Sequence, residues 1–501
     1  MNNMMNPLHF GSGESAASPN CEFPSGKRHS CRFIRAAFVA LTLGEAALLP
    51  LHAALPEVSN VTMTQAANRL VTITYQLTDA PAVVTLDIQT NANVSAAAND
   101  PGWTSIGGAA VCNAQGDVWR KVGNDLAQGQ TFSGTITWQP DQTWKGPDEN
   151  GFKIAANGAR ARVTAWPLDN TPDYMAVDVS AAAQPNTQTY YPAADFVPGG
   201  VMNSIYRTTK LLMRKIMAKD VEWTMGSTTL ETQYRQAARE ATHQVTLTNN
   251  YYIGVYEVTQ AQWDLIQPSR TAPSYFNNAV DRAMRPVEQV SYNEIRNSNN
   301  STTADATYNW PADPNPNSFL GKLKTKTGIY FDLPSEAQWE FAARAGNGDT
   351  KWGDGSGILN ADEDVNLKLL GRYNRNGGEV LNGSSYANPA QSCGATNGTA
   401  IVGSYLPNAW GIYDMHGNVW EWCLDWYEDN INANGGAVNI DPSAPAKTLS
   451  GASGVNRVIR SGSWNSAAGM SRPAYRSLNT PSYLSGIYSI GFRVLCSAGL
   501  R

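Results

Sequence analysis

Residues 411–426 read GIYDMHGNVWEWCLDW. Three Trp, three carboxylates and two Gly fall within these sixteen positions. The aromatics call for burial. Asp414, Asn418 and Glu421 cannot be buried bare, because a desolvated carboxylate needs a counter-charge or several donors. A hard cation such as Ca²⁺ resolves the conflict, since it takes about six to eight oxygens and accepts backbone carbonyls beside carboxylates. Asp414, the carbonyls around Gly417 and Val419, and Glu421 could wrap one ion within eight residues. Spacing alone leaves a second possibility open, a buried polar knot satisfied by backbone donors.

Outward from this stretch, the 501 residues, 42% of them apolar, are enough for two or three domains. A net charge of −5 and scattered Lys and Arg argue against a nucleic-acid protein. Charged residues are only 16%, a balance that suits exported proteins rich in strands and loops. The N-terminus points the same way. Lys27, Arg28, Arg32 and Arg35 precede an apolar stretch, residues 36–51, broken by Glu45, and His52-Ala53-Ala54 resembles a cleavage site. Residues 1–54 are therefore read as a signal peptide, which implies a secreted or periplasmic protein. A membrane anchor is the other reading, but the run is short for a span and carries a charge. No second run long enough to span follows, so no stable membrane span is expected after signal removal.

Beyond residue 54 four cysteines remain, Cys112, Cys393, Cys423 and Cys496. An even number in an exported chain permits disulfides. Cys423 with Cys496 is the favoured pair, with four buried thiols as the other possibility. Only His243 and His416 remain, too few for a three-His metal centre, and neither has a nucleophile-elbow context.

Residues 56–186 read as an all-β sandwich of immunoglobulin or fibronectin type. Val71, Ile73, Tyr75 and Leu77 alternate with polar residues at the period of a half-buried strand. Further strands are expected at 83–88, 132–138, 160–166 and 175–179. Residues 187–200 read as a linker, and 201–497 as a second domain. Its few helices are signalled by capping boxes at Thr259/Gln262, Ser291/Glu294 and Ser335/Gln338, each a hydroxyl with a Glu or Gln three residues on. Residues 346–407 are loop-like, and so long an irregular stretch is usually functional or metal-stabilised. The fold class is α+β.

The second domain resembles the formylglycine-generating enzyme family, the sulfatase-modifying factors, whose fold is a C-type-lectin variant with little regular secondary structure. The resemblance rests on ordered motifs over most of the domain. They are Trp223-Thr-Met-Gly-Ser227, Tyr252-Ile-Gly-Val-Tyr-Glu-Val-Thr259, Arg285-Pro-Val-Glu-Gln-Val-Ser291, Leu333-Pro-Ser-Glu-Ala-Gln-Trp-Glu-Phe-Ala-Ala-Arg344, the opening stretch with its leader from Pro407, Arg460-Ser-Gly-Ser-Trp464 and Ile490-Gly-Phe-Arg493. The resemblance implies a Ca²⁺ site in which Asp414 and Glu421 are side-chain ligands and Gly417 and Val419 supply carbonyls. It implies a second site at Asn374, whose partners around residues 392–399 do not align.

The catalytic match fails. The family oxidises a client sulfatase cysteine with O₂ and copper(I), held by two cysteines shortly after a Gly-Ser-aromatic motif. That motif is Gly462-Ser463-Trp464 here, and the cysteine positions fall on Ser466 and Ser471. Copper(I) selects sulfur ligands, so copper is not expected. Trp420 and Ser463 match positions lining the family's substrate groove, and Trp464, Asn465, Ser466, Ser471, Tyr475 and Arg476 would crowd the same wall. Aromatic faces with small polar groups suit a peptide, protein or glycan ligand; the same aromatics could instead be core. Arg460 and Arg493 are read as internal partners of carboxylates or carbonyls. The expected function is a non-catalytic recognition module. The alternative is a formylglycine-generating type of oxidoreductase, or another enzyme using the same groove.

Overall fold

In a computed structural model, residues 55–126, 130–144, 158–270, 273–277, 280–298, 306–377, 398–429, 439–440, 456–482 and 488–499 are described. The signal-peptide reading, Cys393 and most of the loop expected to complete the Asn374 site lie outside them. The architecture is mixed α+β, mostly short strands with few helices.

The N-terminal strands form two antiparallel sheets. One has the order Glu57–Gln65, Val71–Thr78, Phe132–Trp138, Gln115–Gly116. In the other, Ala82–Thr90 is flanked by Ala159–Trp166 on one side and by Thr104–Ser105 and Arg120–Val122 on the other. Val71, Ile73, Tyr75 and Leu77 all point into the core, as their alternation predicts.

The expected boundary at 187–200 is corrected. Tyr174–Asp178 and Thr189–Tyr191 lie in a six-stranded sheet with Lys210–Ile216, Tyr251–Gly254, Leu495–Ser497 and Phe331–Asp332. Residues 53–501 form one compact unit. The physical reason is a shared core: Ile73, Leu86 and Trp138 of the N-terminal sheets cluster with Tyr191, Leu212, Val255, Tyr256 and Val402. Thr189–Tyr191 carries two buried tyrosines, and Tyr190 N–H donates to the Trp119 carbonyl at 2.8 Å. A flexible linker could not bury such rings.

Two capping boxes form as the sequence requires, at Thr259/Gln262 and Ser335/Gln338. Ser291 and Glu294 also exchange their bonds, but they open only a short π-helical turn, Asn293–Asn297. The helix Glu336–Arg344 is buried almost all round and ends at Ala345, φ 48°, and Gly346, φ 85°. Its acidic residues therefore cannot face water. Glu336 pairs with Arg460 and Arg476, and Glu340 with Arg344 and Arg460. Arg460 and Arg493 are internal ion-pair residues, as read from the sequence.

The disulfide expectation is corrected too. Cys423 and Cys496 are both buried free thiols, and Cys112 is a half-buried one. Cys423 lies on the strand Trp420–Trp426 and Cys496 on Leu495–Ser497, strands of different sheets. Among the described residues no helix is long and apolar enough to cross a membrane.

Candidate functional site: a charge-unbalanced carboxylate knot

Residues 411–419 descend into the core without regular structure before the strand Trp420–Trp426 begins. Asp414, φ 58°, Gly417, φ 111°, and Asn418, φ 66°, all take left-handed backbone. Only glycine adopts that region at no cost, so two non-glycine residues there indicate local strain. A Cβ at Gly417 would run into the Arg372 carbonyl, so that position admits no side chain.

The strain is held by a dense polar network. Asn418 receives Ala400 N–H on Oδ1 at 2.8 Å and donates through Nδ2 to Glu257 Oε2 at 2.6 Å. Val419 N–H donates to Glu257 Oε1 at 3.2 Å. Gly403 N–H reaches Asp414 Oδ2 at 2.7 Å. Asp414 Oδ1 is buried with no partner. His416 accepts Gly353 N–H on Nε2 at 3.0 Å while Nδ1 faces the Ser471 carbonyl at 3.1 Å. Burial depresses its pKa to about 4, so it is a neutral structural imidazole.

Glu421 has a partner that the sequence reading did not give it. Arg493 takes both its oxygens, Nε on Oε2 at 2.7 Å and Nη2 on Oε1 at 2.6 Å, and Trp339 Nε1 adds a bond to Oε2 at 2.7 Å. As the expected Ca²⁺ ligand, Glu421 would have to share these oxygens with Arg493, which pairs with it here. Gly417 also engages its carbonyl, accepting Ser461 Oγ at 3.0 Å.

What remains is an imbalance. Glu257, Asp414 and Glu421 are buried together; Arg493 pairs with Glu421 and acts on the other two through space, with Arg207 adding a smaller effect on Asp414. Burial, then Asp414 and Glu421, push the Glu257 carboxyl well above the usual carboxylate range. Burial pushes Asp414 up to about 6, against the Gly403 donor and Arg493. Among the described residues no three His, Cys, Asp or Glu side chains already converge as a metal centre. The donors left with capacity are Asp414 Oδ1, the second lone pairs of Glu257, and backbone carbonyls. All are oxygens, the set a hard cation takes.

The residues expected to line a recognition groove are brought together, but inward. Trp420, Ser463, Trp464, Ser466, Ser471, Tyr475 and Arg476 are all buried, and Asn465 is half-buried. Trp464 packs edge-on against Phe276 with ring centres 5.5 Å apart, and Trp420 lies 6.0 Å from Tyr475. Arg476 is committed to Glu336, with Nε–Oε1 at 2.6 Å and Nη2–Oε2 at 2.8 Å. The open wall expected from the sequence is corrected to a packed layer, because these aromatics bury more favourably than they hydrate. Ser466 Oγ pairs with Ser463 Oγ at 2.8 Å, whereas Ser471 Oγ is buried without a partner.

Residues 205–498 match the model of the sulfatase-modifying factor enzyme 1-like domain, more than half of the chain. The chain belongs to this family. It is similar to the formylglycine-generating enzyme of Streptomyces coelicolor, 36% identical over 34% of this chain and 47% of that protein. It is also similar to the chaperone protein LppX of Paenibacillus barcinonensis, 30% identical over 45% of this chain and 74% of that protein. The structure of Treponema denticola variable protein 1 overlaps 57% of this chain and 95% of its own, at 25% identity and a TM-score of 0.40. The chain spans about half the length of the first curated relatives it matches.

Within this sulfatase-modifying factor-like domain, sequence reasoning missed Glu257. The residue sits in the motif Tyr252-Ile-Gly-Val-Tyr-Glu-Val-Thr259, where a lone carboxylate in an apolar run was the available signal. It lies more than 150 residues from Asp414, so only the fold brings the two together. Asn374 is half-buried, its backbone N–H donates to the Ser466 carbonyl at 3.0 Å, and its Oδ1 is buried without a partner.

Proposed function

We propose that this is an exported, Ca²⁺-stabilised recognition protein in which a sulfatase-modifying factor-like domain has given up copper-dependent oxidation. The observation that carries the reading is the occupancy of the two expected copper positions by Ser466 and Ser471. One hydroxyl is spent on Ser463 and the other is buried alone. Neutral hydroxyls do not hold a soft monovalent ion as thiolates do. The described cysteines offer no substitute pair: Cys423 and Cys496 are buried in strands of different sheets, and Cys112 belongs to the N-terminal strands. Export rests on the basic and apolar segment before residue 54.

Ca²⁺ would be held by Asp414 Oδ1, Glu257 and the carbonyls of Gly417 and Val419. When bound, it supplies positive charge beyond that of Arg493 and the more distant Arg207. The unpartnered Oδ1 of Asp414 supports this fit. The equally unpartnered Oδ1 of Asn374 supports a second site. We further propose that the N-terminal sheets are an immunoglobulin- or fibronectin-like sandwich. It is fused to the head through a common core, so it fixes the orientation of the head instead of acting as a free spacer. The ligand class is a peptide, protein or glycan, and the buried layer of Trp420, Trp464 and Tyr475 would support the recognition face from beneath, without lining it.

Anaerobic titration of the purified chain with copper(I) tests the reading. Binding no tighter than that of a Ser466→Ala, Ser471→Ala double variant is expected, with no oxygen uptake on a cysteine-containing sulfatase peptide. Stoichiometric tight copper binding coupled to oxygen consumption would restore the oxidoreductase alternative.

A further inference from the structure

Glu288 is a fully buried carboxylate outside the knot, and among the described residues no ion pair reaches it. Its donors come from one short segment. Tyr275 N–H binds Oε2 at 3.1 Å and Phe276 N–H binds Oε1 at 3.0 Å. Ser274 Oγ accepts Glu288 N–H at 3.1 Å and lies 3.3 Å from the Glu288 carbonyl. Residues 274–276 are thus tied to Glu288 by side chain and backbone together. Their rings lie on the Trp464 layer: Phe276 packs edge-on against Trp464, and Tyr275 lies 3.9 Å from the Tyr488 ring centre.

The surroundings leave Glu288 to its donors. Gln260 on the helix Gln260–Ile266 faces the segment and donates to the Phe276 carbonyl at 3.2 Å. On the neighbouring chain Arg285 pairs with Asp281, Arg282 with Asp264 and Arg270 with Glu294. Tyr275 packs on Tyr488, whose carbonyl accepts Trp464 Nε1 at 2.8 Å. Isolated burial disfavours an ionised carboxylate strongly. The two amide donors and the nearby Ser274 hydroxyl favour the charge, but burial outweighs them and pushes the carboxyl up to about 7.

We infer that residues 274–276 form a strap, latched over Trp464 by the neutral Glu288 carboxyl and released when that carboxyl ionises. The sign follows from linkage. The closed strap binds the Glu288 proton more tightly than an open one, in which the carboxyl meets water, so raising the pH favours opening. Only the consequence for ligand access rests on the recognition role proposed above; the strap is read without any ligand.

Hydrogen exchange of the Tyr275 and Phe276 amides in the full chain, corrected for the intrinsic pH dependence, reads the opening. With a closed-state pKa of about 7 and an open-state value of about 4.3, protection falls about tenfold between pH 6 and pH 8. In Glu288→Gln it stays level. Level protection in the natural chain, or the same slope in Glu288→Gln, overturns the inference. Should Glu288→Gln not fold, the natural chain labelled with 5-fluorotryptophan serves alone. Its Trp464 resonance, assigned through Trp464→Phe, shifts with a midpoint near 7; a resonance that does not move overturns the strap.

Discussion

Two buried charge clusters meet at Trp339, and they solve the same problem differently. Around the helix Glu336–Arg344, Glu336 and Glu340 are gripped by Arg344, Arg460 and Arg476, with Asp425 alongside accepting Glu336 N–H at 2.6 Å. Carboxylates and guanidiniums are equal in number there. Across the ring, Trp339 Nε1 donates to Glu421, which Arg493 pairs, while its neighbours Glu257 and Asp414 have no ion pair of their own among the described residues. Glu340 shows the effect of balance: burial raises its pKa, yet Arg344 and Arg460 bring it down to about 2. Asp414, with fewer partners, stands at about 6. The balanced lattice keeps Glu340 charged, although burial and Glu336 still push the neighbouring Asp425 up to about 7; the unbalanced knot asks for protons or a cation.

The largest effect breaks the balanced side. Arg460→Ala leaves Glu336 and Glu340 short of a partner in a dry core. It should cost about 3–5 kcal/mol of unfolding free energy, read by denaturant titration with and without Ca²⁺. An effect below about 1 kcal/mol would mean that water reaches this lattice.

Metal removal tests the unbalanced side. A cation that binds only the folded state at a hundredfold excess over its Kd adds about 2.7 kcal/mol. EDTA should therefore lower the Tm by several degrees, and Asp414→Asn should abolish the response to added Ca²⁺. An unchanged melting curve would leave protons as the only remedy for the imbalance.

The pH profile sharpens the contrast further, because Asp414 and Glu340 slope oppositely. Asp414 is raised in the fold, so in chelator its contribution to stability is greatest below its unfolded pKa of about 4 and is lost as the pH rises through about 6. Glu340 is lowered, so its contribution is present above about 4.3 and is lost as the pH falls toward about 2. Melting in EDTA across pH 3–8 should show both limbs, and saturating Ca²⁺ should remove the share of the upper one that Asp414 contributes while leaving that of Asp425, which burial and Glu336 push up to about 7.

The smallest effect comes from Glu257→Gln, which keeps an acceptor for Asn418 or Val419 and deletes one surplus charge. In chelator its Tm should stay within a degree or two of the natural chain, while its gain on adding Ca²⁺ should shrink. A loss as large as that of Arg460→Ala would place Glu257 in the balanced class.

Much of this was legible beforehand. The period-two strand at residues 71–77, the two capping boxes and the ordered motifs come from local spacing, which side-chain stereochemistry reads directly. Ser466 and Ser471 needed no coordinates either. Burial of the expected groove was not legible, because an aromatic that faces a ligand and one that faces the core have the same composition. The Arg493–Glu421 pair escaped as a specific contact, as did Glu257 and the Glu288 strap, since each joins segments that no local pattern connects.

By itself the sequence determined which backbone could form and which side chains stand at given positions: periodicity, caps and glycine positions act over a few residues, and Ser466 and Ser471 are serines in any fold. Only the tertiary structure decided which carboxylate meets which guanidinium, and that Thr189–Tyr191 is core and not linker. Burial and Coulomb interaction depend on distance in space, which chain position does not specify.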